Sequence, residues 1–133
     1  TEASGTLLVS LVEEGWTGSD DIVAVETLRR YLKPMIDADI DTLILGCTHF
    51  PVLSAAISKV LGDKVTLINM GVSAAQAVAQ TLKETDSLNC DTYSPSHKFY
   101  VSDKTLSFAK TVKILLGEYG KDFVVEQADV EKL

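Results

Sequence analysis

The stretch that most limits what this chain can fold into runs from Ile40 to Leu53, IDTLILGCTHFPVL. A short run, Thr42-Leu43-Ile44-Leu45, stops at Gly46. Cys47, Thr48 and His49 follow at once, and Pro51 then opens a second apolar-periodic stretch. Unbroken Leu and Ile read as a strand buried on both faces. A proline just after a polar triplet reads as the first turn of a helix. A thiol, a hydroxyl and an imidazole are therefore expected side by side where a strand hands over to a helix. In open α/β sheets, ligands bind at that place, outside the carboxyl ends of the strands.

The residue types at this corner suit acid/base chemistry. A cysteine reacts as its thiolate, and the positive end of a helix favours negative charge. The free N–H groups of a helix start also hold carboxylates and phosphates. Thr48 offers a hydroxyl to an anionic group, and His49 can accept or deliver a proton near neutral pH. A free cysteine is often simply a small buried hydrophobe. Thr48 and His49 beside Cys47 balance that plain reading against the chemical one.

Composition narrows the partners. The chain has 133 residues, a formal net charge of −7, 46% apolar and 23% charged residues, which fits one globular domain. Nucleic acid and membrane surfaces call for a basic patch, and Arg29-Arg30 is the only basic pair on a predicted helix face. No apolar run approaches the roughly 18 residues that span a bilayer, and no signal-peptide pattern is present. Cys47 and Cys90 stand in unlike contexts and do not read as a disulfide framework, so a reduced cytoplasm is expected. A chain that begins at Thr1 without methionine fits a fragment or a processed piece.

Along the chain, Leu7 to Val12 (LLVSLV) reads as a short strand or an apolar approach to a loop. Glu13 and Glu14 after it are candidates for acid/base work at a strand end, or solvated loop carboxylates. Ser19 before Asp20-Asp21 reads as a helix cap. Ile22, Val25, Leu28, Leu32, Tyr31 and Met35 form the buried stripe, and Pro34 bends or ends that helix. A second helix should run from Pro51 to about Leu61 with Gly62 as its stop. Val65 to Ile68 is the next strand, followed by a helix capped by Ser73. Two strands around one helix make a βαβ unit, hence parallel pairing. Glu84 to His97 is polar and turn-rich, and holds Cys90. Phe99 to Val101 is a strand, Ser102 or Asp103 caps a helix ending at Gly117, and Phe123 to Glu126 is the last strand. The architecture is α/β, a mostly parallel sheet with flanking helices. Two His and two Cys scattered along the chain give no metal-site spacing.

ILGCTHFPVL resembles the segment around the second catalytic cysteine of glutamate racemases, in the aspartate/glutamate racemase superfamily. LVEEG (Leu11 to Gly15) is similar to another segment of that family, and VTLIN and KFYVSD resemble its later strands. The resemblance runs in order along nearly the whole chain but covers only the C-terminal half of such an enzyme. The family's first catalytic cysteine, in an Asn-Thr context, and an Asp-Ser pair near the start have no counterpart here. The Asn69-Met70-Gly71 corner departs from the family's Asp-Ser-Gly, and no catalytic role is assigned to it.

The resemblance implies a cofactor-independent, two-base racemisation of glutamate. Cys47 would be one acid/base group, assisted by His49 and Glu13, with Thr48 and His49 contacting the substrate. It implies a two-lobed, pseudo-symmetric fold in which residues 1–69 belong to the second lobe and residues 70–133 complete the first. It further implies a cytoplasmic supplier of D-glutamate for peptidoglycan, leaves a homodimer open, and makes the isolated chain inactive without its N-terminal half. Two other readings stand beside it. One is a racemase of aspartate or another small amino acid in the same superfamily; the other is a non-catalytic interaction module that retains the fold.

Overall fold

A computed structural model describes residues 1–89, 97–103, 106–117 and 124–129. Contacts group the chain into two compact units, Thr1–Leu88 and Asn89–Leu133.

In the first unit, the run read as a strand is a helix, α1, spanning Thr6–Glu14. Five apolar residues in a run of six carry no period that separates strand from helix. The decision comes from packing: Leu8, Leu11 and Val12, spaced i, i+3, i+4, are buried together. The end of α1 is fixed by Gly15, whose φ of 83° lies in the left-handed region. Its N–H donates to Val12 O and the Trp16 N–H donates to Leu11 O, both at 2.9 Å, the two bonds of a Schellman closure. Glu13 is held in that last turn. Replacing Gly15 with Ala should lower stability by about 1–2 kcal/mol, the cost of a Cβ in this region, and a lower urea midpoint at unchanged slope would report it.

The cap of helix α2 (Ile22–Asp37) lies two residues after the expected one. Asp21, not Ser19, accepts from the Ala24 N–H at 2.9 Å. Its buried stripe is Ala24, Val25, Leu28, Leu32 and Met35, whereas Ile22 is 78% exposed. Pro34 does not end the helix, which continues to Asp37. The chain then turns through Asp39 (φ 48°) into strand β1 (Thr42–Leu45). A 3₁₀ turn at Phe50–Leu53 leads into α3 (Ser54–Leu61), which closes at Gly62.

Strand β2 (Thr66–Asn69) pairs parallel to β1, Thr42 opposite Thr66 and Leu45 opposite Asn69, as the βαβ reading requires. Helix α4 (Met70–Glu84) is capped by Asn69, whose Oδ1 accepts from Gly71 N at 3.0 Å and Val72 N at 3.3 Å. Ser73, the expected cap, lies inside the helix and donates to Asn69 O. The core of this unit is formed by α1, α2, the 3₁₀ turn and α3, with Leu28, Leu53 and Val12 fully enclosed.

One expectation about β1 fails. Leu45 is buried, but Ile44 is 62% exposed, so the strand is not covered on both faces. Alternation puts Thr42 and Ile44 on one face and Leu43 and Leu45 on the other. The second face carries the half-buried Leu43 and the buried Leu45.

The second unit holds β3 (Phe99–Val101), α5 (Leu106–Leu116) and β4 (Val125–Gln127). Strands β3 and β4 are parallel, with Phe99 opposite Val125 and Val101 opposite Gln127. The last strand thus ends one residue later than the sequence suggests, and Phe123 lies outside the described residues. Among the described residues no helix is long and apolar enough to cross a membrane.

Candidate active site

The strand-to-helix corner forms as its sequence predicts. β1 ends at Leu45, and Gly46-Cys47-Thr48-His49 leads into the 3₁₀ turn with Pro51 in its first positions. The Phe50 N–H donates to Cys47 O and the Val52 N–H to His49 O, both at 3.1 Å, which fixes the backbone on either side of Thr48. Ser54 Oγ donates to Pro51 O at 2.6 Å and ties the turn to α3.

Three side chains line up at this corner. Cys47 Sγ lies 3.8 Å from His49 Nδ1, and His49 Nε2 lies 3.6 Å from a Glu13 carboxylate oxygen. The imidazole therefore stands between a thiol and a carboxylate that are 34 residues apart in sequence. Thr48 Oγ1 is 3.5 Å from the same Nδ1 and exposed. These separations are longer than strong hydrogen bonds; they describe groups within reach of one another. The His49 side chain is 19% exposed and that of Glu13 52% exposed, so the line runs from the protein to its surface. Cys47 is half-buried, and a Cβ placed on Gly46 would meet nothing within 4 Å. The space over the Gly46–Cys47 peptide is open.

Glu13 reaches His49 because α1 is a helix. Its apolar face packs α1 on the 3₁₀ turn, and the Gly15 closure leaves Glu13 at the end facing the turn. Lys59 of α3 donates to Ser19 O at 2.8 Å and so anchors the loop that follows α1. The sequence placed Glu13 at a strand end; the structure moves it to a helix end and brings it to the histidine. Residue pattern alone does not signal that convergence; the family resemblance of LVEEG does. Cys90, the chain's other cysteine, lies outside the described residues, and His97, its other histidine, is exposed with its ring 6.1 Å from that of Phe99. Asn69 is occupied in capping α4. Among the described residues no group of three or more His, Cys, Asp and Glu side chains is placed to hold a metal ion.

Comparison with known proteins decides the family. Glutamate racemase of Neisseria meningitidis is 42% identical over 111 residues, covering 84% of this chain and 40% of the relative. That of Geobacter metallireducens is 38% identical over 125 residues, covering 94% of this chain and 45% of the relative. The chain belongs to the glutamate racemase family. No protein-family model matches it.

Solved glutamate racemases share the fold. The Francisella tularensis enzyme, in complex with D-glutamate, superposes with a TM-score of 0.82 at 30% identity, over 96% of this chain and 46% of that one. The Thermus thermophilus enzyme, in complex with beta-chloro-D-alanine, gives 0.79 at 35% identity, over 98% and 48%. The chain thus spans less than half the length of the racemases it matches.

Proposed function

We propose that this chain carries one side of a glutamate racemase active site, with Cys47 as one of two acid/base groups. The observation that carries this reading is the Cys47–His49–Glu13 line at the carboxyl end of β1, beside open space over Gly46. The D-glutamate complex of the Francisella tularensis relative supports glutamate as the substrate.

Racemisation needs no group transferred and no electron lost. A base removes the α-proton from one face of the carbon, leaving a carbanion stabilised by the neighbouring carboxylate. An acid on the opposite face then returns a proton, and the two groups exchange roles for the reverse direction. Cys47 thiolate would take the proton, or Cys47 thiol give it, on one face. His49 would pass protons to and from the sulfur while Glu13 orients the ring and balances its charge. Thr48, exposed at the mouth, would hold a substrate carboxylate. The opposite acid/base group, a second thiol by the family resemblance, would come from the part of a racemase that this chain does not span. No cofactor enters this scheme.

On this reading residues 1–69 lie in the second lobe of a two-lobed enzyme, residues 70–133 complete the first, and the chain corresponds to the C-terminal half. Its product would supply D-glutamate to peptidoglycan synthesis in the cytoplasm. The test is complementation. The chain alone should racemise glutamate negligibly, and adding the separately produced remainder of the Neisseria meningitidis enzyme should restore turnover, followed by circular dichroism of the substrate. A chain that binds that remainder and still leaves glutamate unchanged would refute the assignment. In the complemented enzyme, Glu13→Gln should lower turnover about tenfold, the equivalent of roughly 1.4 kcal/mol in the barrier. Its thermal midpoint should hold, because Glu13 is half exposed.

A further inference from the structure

Helix α1 meets the 3₁₀ turn at both of its ends. At the C-terminal end the Glu13 carboxylate faces His49. At the N-terminal end stands Gly5, buried although residues 1–4 before it are exposed. A Cβ built on Gly5 would lie 2.8 Å from Leu8 Cδ1 and 2.9 Å from Phe50 Cζ. Carbon atoms in packed interiors settle about 3.5–4.0 Å apart, so a methyl group there has no room. Backbone conformation does not call for the glycine, since its φ of −102° lies outside the left-handed region. The close approach of two side chains to its bare Cα does.

Two of the three partners are held. The Gly5 carbonyl accepts the Leu8 N–H at 2.9 Å, which ties Gly5 to the first turn of α1. Leu8 is 5% exposed and packs in the core with Leu11 and Val12. Phe50 is half-buried and has room to move. Its N–H donates to Cys47 O at 3.1 Å, and it follows His49 directly in the chain. Displacing its ring therefore pulls on the backbone that carries Cys47, Thr48 and His49. Gly5 and Glu13 are eight residues apart. That is about 12 Å along a helix axis, so α1 grips the consecutive residues His49 and Phe50 at two separate points.

We propose that Gly5 is a positioning residue for the racemase site: its bare Cα seats the Phe50 ring and so holds Cys47 and His49 at the separation over which a proton passes. This role rests on the function assigned above. The plainer alternative is that Gly5 serves packing alone, with Leu8 giving way to an added methyl and the corner undisturbed.

The test uses Gly5→Ala, Phe50→Leu and the two together. In the full chain, carrying Cys90→Ser so that Cys47 is its one thiol, two readouts report on the corner without any turnover. These are the His49 ring signals by NMR and the rate of Cys47 alkylation by iodoacetamide. Gly5→Ala should move the His49 signals, leave those of His97 in place and slow alkylation about threefold, as the imidazole draws away from the sulfur. In the complemented enzyme it should lower kcat about tenfold with KM unchanged, because a small misplacement costs orientation and not binding. Phe50→Leu removes the ring tip and should also lower kcat. The double variant should turn over faster than Gly5→Ala, since the added methyl then occupies the space the ring leaves.

Gly5→Ala with unmoved His49 signals and full kcat, even at a lower thermal midpoint, would overturn the role, as would a double variant no faster than Gly5→Ala. Should Gly5→Ala not fold, Phe50→Leu decides, and unmoved signals with full kcat would overturn it equally. The two readings fail separately. A complemented enzyme that never racemises, with the His49 and Cys47 responses as expected, removes the function and keeps the geometry; a racemising enzyme indifferent to Gly5→Ala does the reverse.

Discussion

Replacing Cys47 with Ala in the complemented enzyme should reduce racemisation by roughly 10²- to 10⁴-fold, the usual worth of a positioned acid/base group. The loss should appear in turnover in both directions, because each direction uses Cys47 once, as base or as acid. Binding should change little. The thiol is half-buried and its removal leaves the backbone of the corner intact, since the Phe50 and Val52 N–H bonds to Cys47 O and His49 O do not involve the side chain. Inhibitor titration alongside turnover would separate the two effects. A Cys47→Ala enzyme that keeps most of its turnover would show that the sulfur is packing, as free cysteines often are.

The second large effect concerns the scaffold. Leu53 is fully enclosed at the end of the 3₁₀ turn, which packs on both α1 and α3. Truncation to Ala should lower stability by about 2–5 kcal/mol, through lost burial and the cavity left behind. Small domains are stable by only about 5–15 kcal/mol in total, so this is a large fraction. Leu28 in α2 is equally enclosed and should lose a similar amount. The two should differ in the site. Leu53 lies four residues after His49 and supports the turn against α1, so its loss should disturb the His49–Glu13 separation. Histidine ring signals measured well below the unfolding transition should move in Leu53→Ala and stay in place in Leu28→Ala. Equal disturbance in both would mean that the 3₁₀ turn does not set the geometry.

The strand-to-helix corner around Cys47 is legible in the sequence because its signals are local. A short apolar run, a glycine, three polar side chains and a proline each have one structural use at that spacing, and β1 falls on Thr42–Leu45 as expected. α1 was not legible, since LLVSLV satisfies both periods and only its packing beneath the 3₁₀ turn makes it a helix. The cap of α4 was misplaced for a related reason. Asn69 and Ser73 are both good caps, and the choice depends on where β2 lets go of β1. The burial of β1 failed for another cause. Leu43-Ile44-Leu45 encodes two covered faces, and this chain supplies a cover for one. Ile44 is thus a place where the apolar pattern of the sequence and the burial in the structure disagree.

The central claim is that Cys47 serves one face of the α-carbon, and isotope exchange tests it most directly. In D₂O, the complemented enzyme should exchange the α-proton of both D- and L-glutamate, followed by NMR. With Cys47→Ala, exchange of one enantiomer should be lost while the other continues, because the opposing base still reaches its own face. Equal loss of both, with the variant folded and substrate still bound, or equal retention of both, would contradict the account.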